Sequence, residues 1–334
     1  MRDIPGLEKY IKSEKYRERL GLPKEKTEEY RLLAQGEYNR NYVFTHPVTG
    51  QKLLLRVNFG SQMHLENQIE YEFSALKLLE SSGRTPRAYF AEGKELENGV
   101  MVMEFLEGHH LDYKSELMLA ADCLADIHSV ALPKNHSLIT PENPVKAILD
   151  ECLEMFEKYR KWEKADGKTE KMISEMLEKG MRAADRNLDG LYKCCVNTEL
   201  NSTNFLINGE GRKNYLVDWE KPVCSTPAQD LGHFLAPTTT FWKTDVILTK
   251  EQTKDFIKRY ISASIGRFDT CGIEEQTMLY IPVTCLRGIT WCAMATVEYS
   301  GERAILNETT TKKLKAYLSG DFLEYIDGFI GENL

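Results

Sequence analysis

The chain has 334 residues, 42% of them hydrophobic and 28% charged, enough for a sizeable core and two lobes of an ordinary globular protein. With 43 Lys and Arg against 51 Asp and Glu its net charge is −8, which argues against nucleic-acid binding. The charge is uneven: residues 1–103 hold 16 basic and 15 acidic side chains and the remainder 27 and 36, so the acidic second part reads either as a solvated acidic surface or as one that attracts a cationic small molecule.

No apolar run approaches the roughly 20 residues that span a bilayer. The start, Met1-Arg-Asp-Ile-Pro-Gly6, has no apolar core of a secretory signal. The 8 cysteines are scattered, without a C-x-x-C pair or a histidine at zinc spacing. They read as reduced core residues of a cytoplasmic protein with no membrane contact.

In chain order, residues 5–20 alternate apolar and charged side chains at helical spacing, and Pro23 ends this segment. Tyr30 to Ala34 predicts a strand, residues 35–41 a loop with the single glycine Gly36, and Tyr42 to Thr45 the return strand. After the turn Pro47-Val-Thr-Gly50, Lys52 to Val57 is a third strand. Leu65 to Glu80 repeats apolar residues at Ile69, Phe73, Leu76 and Leu79, an amphipathic helix ended by Ser81-Ser-Gly83. Arg87 to Phe90 and Val100 to Phe105 are the next strands, and Leu106-Glu-Gly108 reads as a hinge. Glu116 to Val130 is a long helix. Residues 144–186 form two or more helices with a polar break at Ala165 to Lys168, and 250–300 and 310–330 are helical.

Between these lies the stretch that carries chemistry. Tyr192 to Val196 and Phe205 to Ile207 are short strands separated by a polar loop, and a turn at Asn208 to Arg212 leads into a strand ending at Asp218. Glu199 stands five positions before Asn204, and Asp218 fourteen after it. Phosphoryl transfer needs this layout: a carboxylate to take the proton of the attacking hydroxyl, an Asn farther along the loop, and an Asp on the next hairpin, the last two holding Mg²⁺. Two turn-forming residues flanking a hairpin is the plain structural alternative.

The run resembles the aminoglycoside phosphotransferase and choline kinase family, whose pattern is close to H-G-D-x-x-x-x-N followed by an apolar D-W-E or D-F-E. Asn204 and Leu216-Val-Asp-Trp-Glu220 match it. Asn197, Thr198 and Glu199 stand where the family has His, Gly and Asp. The resemblance implies an α+β, two-lobed protein-kinase-like fold: a small antiparallel-sheet N-lobe over residues 1–105 and a larger, mostly helical C-lobe over 106–334. It implies ATP- and Mg²⁺-dependent transfer of the γ-phosphoryl group to a small-molecule hydroxyl, with Glu199 catalytic and Asn204 and Asp218 on the metal. Arg56 takes the place of the strand cation that meets the phosphates, with Lys52 as the other choice. Glu72, or else Glu70, is the helix carboxylate that holds that cation. Glu104, Phe105 and Leu106 form the hinge that meets adenine, Gly36 to Asn39 offers backbone N–H groups to phosphate, and Asp230 braces the catalytic loop. His128 reads as a packing residue and 144–186 as the acceptor-shaping insert. The substituted loop leaves three other classes open: a nucleotide-binding pseudoenzyme, a kinase acting on protein, and a binding module without activity.

Overall fold

A computed structural model describes residues 4–36, 38–61, 63–93, 98–185, 190–300 and 308–334. Among them, the first lobe is a five-stranded antiparallel sheet in the order β1-β2-β3-β5-β4, built from β1 (Arg31–Gln35), β2 (Asn39–Thr45), β3 (Lys52–Asn58), β4 (Ala88–Glu92) and β5 (Val100–Glu104). Strand alternation gives the sheet two different faces. Leu53, Leu55 and Val57 of β3 and Val100 and Val102 of β5 point to one face. Met101 and Met103 point to the other.

The first face explains the N-terminal segment. Its periodicity predicts one helix, but the chain forms two, α1 (Leu7–Ile11) and α2 (Glu14–Leu20). Ser13 caps the second by accepting from the Tyr16 N–H, and that cap breaks the run. Leu7, Tyr16 and Leu20 close over the sheet with Phe44 and Phe90. The opposite face packs on α3 (Gln68–Leu79) and the helical lobe.

The larger lobe begins with β6 (His109–His110) and α4 (Leu117–His128). The insert is the predicted helix pair, α5 (Pro144–Arg160) and α6 (Gly167–Met181), with the break made by Asp166 capping α6. Arg186, the last residue of the predicted insert, lies outside the described residues. Then come β7 (Cys194–Val196), β8 (Phe205–Ile207), β9 (Tyr215–Leu216) and β10 (Val223–Ser225). The segment between Pro222 and Pro227, read from sequence as loop, instead contains β10, which pairs antiparallel with β7. The rest is helical: α7 (Pro227–Leu235), α8 (Pro237–Thr244), α9 (Lys250–Ser264), α10 (Ile273–Ser300), α11 (Glu308–Tyr317) and α12 (Gly320–Asn333).

α10 corrects one expectation. It is 28 residues long and apolar enough, by length and composition, to cross a membrane. In this fold 72% of its most apolar window is buried, so it serves as the core helix of the lobe, packed against α5 and α7.

Candidate active site

The loop between β7 and β8 is fixed from three sides. Asp230 on α7 accepts the backbone N–H of Asn197 and of Thr198, each at 2.8 Å. His128, fully buried, meets the same carboxylate at 3.2 Å and the Tyr260 hydroxyl at 2.8 Å. The Asn197 amide donates to the Asp218 carbonyl at 2.7 Å and accepts from the Glu199 N–H at 3.2 Å. Asn197 thus ties the loop to the segment carrying Asp218.

Thr198 has φ 72°, a left-handed conformation that costs a β-branched residue about 1–2 kcal/mol. Glycine tolerates it freely. Thr198 is held there by its N–H on Asp230 and by its Oγ1, which donates to the Lys221 carbonyl at 2.9 Å.

Asn204 and Asp218 come together because the Val217 N–H donates to the Asn204 carbonyl at 2.9 Å. Among the described residues no hydrogen bond reaches the buried Asn204 side chain, and the Asp218 side chain is 49% exposed at φ 67°. An unpartnered amide oxygen beside an open carboxylate is a hard-oxygen donor set that fits Mg²⁺.

On the sheet side, Arg56 lies among three carboxylates. It pairs with Glu72, its Nε donates to the Asn41 amide oxygen at 3.1 Å, and its other carboxylate neighbours are Asp218 at 3.5 Å and Glu220 at 3.7 Å. The alternatives named from sequence, Lys52 for Arg56 and Glu70 for Glu72, occupy different surroundings. Lys52 pairs with exposed Glu107 at the strand start, and Glu70 is exposed on α3. Burial raises Glu72 against the pull of Arg56, and burial with the nearby Asp218 pushes Glu220 up to about 8. Glu220 had no assigned role in the sequence; here it accepts from the Asn39 amide, and its carbonyl accepts from Gln68 at 2.6 Å.

The remaining nucleotide-side residues are mixed. The Gly36 N–H closes the hairpin onto the Asn39 carbonyl at 2.8 Å, so it is already engaged, and Glu37 lies outside the described residues. Asn39 belongs to β2 and faces Glu220 through its side chain. At the hinge, the Glu104 N–H donates to Arg87 at 2.8 Å and the Phe105 N–H to Lys52 at 3.2 Å. The Leu106 backbone makes no hydrogen bond among the described residues.

On the helical side, Glu199 sits between two cations that sequence reading did not find. Lys221 Nζ is 2.9 Å away, and Arg287 of α10 is 3.3 Å away while holding Glu151 of α5 at 2.8 and 3.1 Å. Burial opposes ionisation, but Lys221 and Arg287 outweigh it and hold Glu199 down at about 2. Burial and Arg287 push His233 down to about 4, leaving a neutral imidazole on the same wall. These groups line a cavity of about 600 Å³ that extends toward Trp242 and Trp291.

No curated protein matches the chain in sequence. Solved structures match its fold across nearly the whole length. A spectinomycin phosphotransferase with ADP and spectinomycin is 13% identical with a TM-score of 0.63, covering 92% of this chain and 94% of its own. A choline kinase from Cryptosporidium parvum Iowa II is 13% identical with a TM-score of 0.61, over 99% and 96%. An ethanolamine kinase from Plasmodium vivax is 16% identical with a TM-score of 0.59, over 89% and 84%. The fold is therefore the two-lobed kinase-like one. The phosphotransferase enzyme family model matches residues 29–267, most of the chain, and the chain belongs to that family.

Proposed function

We propose that this phosphotransferase moves the γ-phosphoryl group of ATP, with Mg²⁺, to a hydroxyl of a small molecule. The observation that carries the reading is the convergence of Asn204 and Asp218 on a loop clamped by Asp230 and Asn197. Asn204 and Asp218 hold Mg²⁺, which supplies charge stabilisation at the phosphates when bound. Arg56, fixed by Glu72, faces the same place and supplies the cation for the phosphate chain. The open Leu106 backbone, with the carbonyls of Glu104 and Phe105, meets adenine. Glu199 orients the acceptor hydroxyl and takes its proton. Its depressed basicity is tolerable because phosphoryl transfer depends mainly on positioning and electrostatics.

The three loop substitutions act together. Thr198 holds the Lys221 carbonyl, and Lys221 holds Glu199. That interdependence supports a rebuilt working loop. The pair of cations on Glu199 supports the second reading, a nucleotide-binding pseudoenzyme, because both weaken it as a base. A concave acceptor cavity favours a small molecule over a protein substrate. Eight free cysteines, seven of them buried, fit a reducing compartment, and we place the protein in the cytoplasm.

The test is thermal stabilisation by ATP with Mg²⁺, followed by ADP release across a panel of hydroxylated metabolites. Stabilisation with acceptor-dependent ADP release is the expected result. Stabilisation without release for any acceptor selects the pseudoenzyme, and no stabilisation overturns both readings.

A further inference from the structure

The cavity beside Glu199 bears on the acceptor itself, given the phosphotransferase reading above. Among the described residues three carboxylates and three cations line it, and each carboxylate has a cation beside it: Glu151 with Arg287 at 2.8 Å, Glu199 with Lys221 at 2.9 Å, and Glu298 with Lys158 at 3.4 Å. The inner two pairs form one chain, because Arg287 also reaches Glu199 at 3.3 Å. A cationic acceptor entering here must draw a carboxylate from fixed protein cations that repel it. An anionic acceptor meets the mirror problem. Neither gains a net attraction from the lining, and each has to be desolvated.

The rest of the wall mixes hydroxyl and amide side chains such as Thr239 and Asn201 with aromatic rings, and the order of the rings follows from helix geometry. Arg287, Trp291, Ala295 and Tyr299 line the cavity at successive turns of α10. At 1.5 Å per residue, Trp291 lies about 6 Å along the axis from Arg287 and Tyr299 about 18 Å. Trp242 meets Trp291 edge-on with ring centroids 5.2 Å apart, and Tyr317 meets Trp242 at 5.4 Å. Gly288 permits this: a Cβ there would lie 2.7 Å from Thr238, so glycine lets α8, which carries Trp242, approach α10. Met155 and Met294 complete the apolar part. The volume, about 600 Å³, suits a drug-sized molecule.

We propose that the acceptor is an uncharged alcohol bearing a flat apolar ring, with the reacting hydroxyl at Glu199 and the ring against Trp291, about one helical turn away. Choline-like and aminoglycoside-like cations are disfavoured by the paired carboxylates. The experiment is calorimetry on the full chain saturated with a non-hydrolysable ATP analogue and Mg²⁺. The probes are phenyl β-glucoside and 2-phenylethanol, against choline, kanamycin and glycerate, each followed by ADP release with ATP. At least one uncharged ring alcohol is expected to bind ten-fold or more tightly than every charged probe. Trp291→Ala, at a 37% exposed position, is expected to raise KM for it ten-fold or more while changing kcat less than three-fold and leaving the ATP analogue unaffected. A charged probe binding as tightly, failure of both ring alcohols to bind, or an indifferent Trp291→Ala overturns the inference. Binding of the ATP analogue is measured first. Its absence sinks the phosphotransferase reading, whereas nucleotide binding with reversed acceptor preference sinks only this one.

Discussion

Two clusters of charge flank the loop at residues 196–204, and they are balanced differently. On the sheet side one cation, Arg56, serves Glu72, Asp218 and Glu220. On the helical side two cations, Lys221 and Arg287, serve Glu151 and Glu199. The consequences run in opposite directions: Glu220 is pushed up to about 8, and Glu199 is held at about 2. Carboxylate excess in a partly buried place favours a cation, while a balanced chain favours none. The contrast suggests a division of labour, with metal and phosphate on one side and an acceptor of no net charge on the other.

The harshest way to break this contrast is Asp218→Asn, which removes the open carboxylate from the anionic cluster. Turnover should fall roughly 1,000-fold, about 4 kcal/mol, with weaker Mg²⁺ dependence of ATP binding. Steady-state ADP release under Mg²⁺ titration checks it, and an unchanged profile would remove Asp218 from the metal site.

Next is Glu199→Gln, which leaves Lys221 and Arg287 with an unmatched charge. Turnover should drop by about 100-fold with ATP binding preserved. Glu199→Asp should also be impaired, since shortening the side chain by one methylene withdraws the carboxylate from a loop built around Lys221. A variant with Asp that outperforms the parent would mark the native loop as degraded.

Lys221→Met sharpens the comparison through pH. A carboxylate with a depressed folded pKa contributes stability above its unfolded value and loses it as pH falls toward the folded one, here about 2. Glu199 therefore remains ionised from pH 8 to 5, and its titration should leave kcat flat across that range. Removing Lys221 raises the group, so the ratio of kcat at pH 5 to kcat at pH 7 should fall roughly three-fold. A pH–rate profile still flat to pH 5 would show that Lys221 does not tune Glu199.

The smallest effect is expected at Thr198. Thr198→Ala keeps the left-handed strain and loses the bond to the Lys221 carbonyl, for a loss of about 1 kcal/mol in urea denaturation. Thr198→Gly loses the same bond but relieves about 1 kcal/mol of strain, so its midpoint should lie near that of the parent. Equal losses in the two variants would mean that the strain is absent.

Much of the fold was legible because its signals are local. The apolar run from Lys52 to Val57 after the turn at Pro47 to Gly50 gave β3 with Arg56, the helical repeat over Leu65 to Glu80 gave α3 with Glu72, and the polar break at Asp166 separated α5 from α6. β10 was hidden because three residues between prolines show no period, and their pairing with β7 is decided at a distance. The N-terminal segment was legible as helical but not as two helices, since the Ser13 cap sits inside an otherwise continuous apolar repeat.

The same division runs through the site. The sequence by itself determined which residues stand at loop spacing, Glu199, Asn204 and Asp218, because a loop between short strands keeps its members close whatever surrounds it. Only the tertiary structure decided what Glu199 faces. Arg287 lies 88 residues after Glu199 on a helix whose composition reads as buried core, and Glu151, on the insert, lies 136 residues before Arg287. An ion pair between remote segments leaves no periodicity in either, because its existence depends on how α5, α7 and α10 pack. Tertiary packing likewise sets cations beside the cavity carboxylates among the described residues of an acidic half-chain, since net charge adds over a sequence while the field in a pocket depends on the few groups that line it.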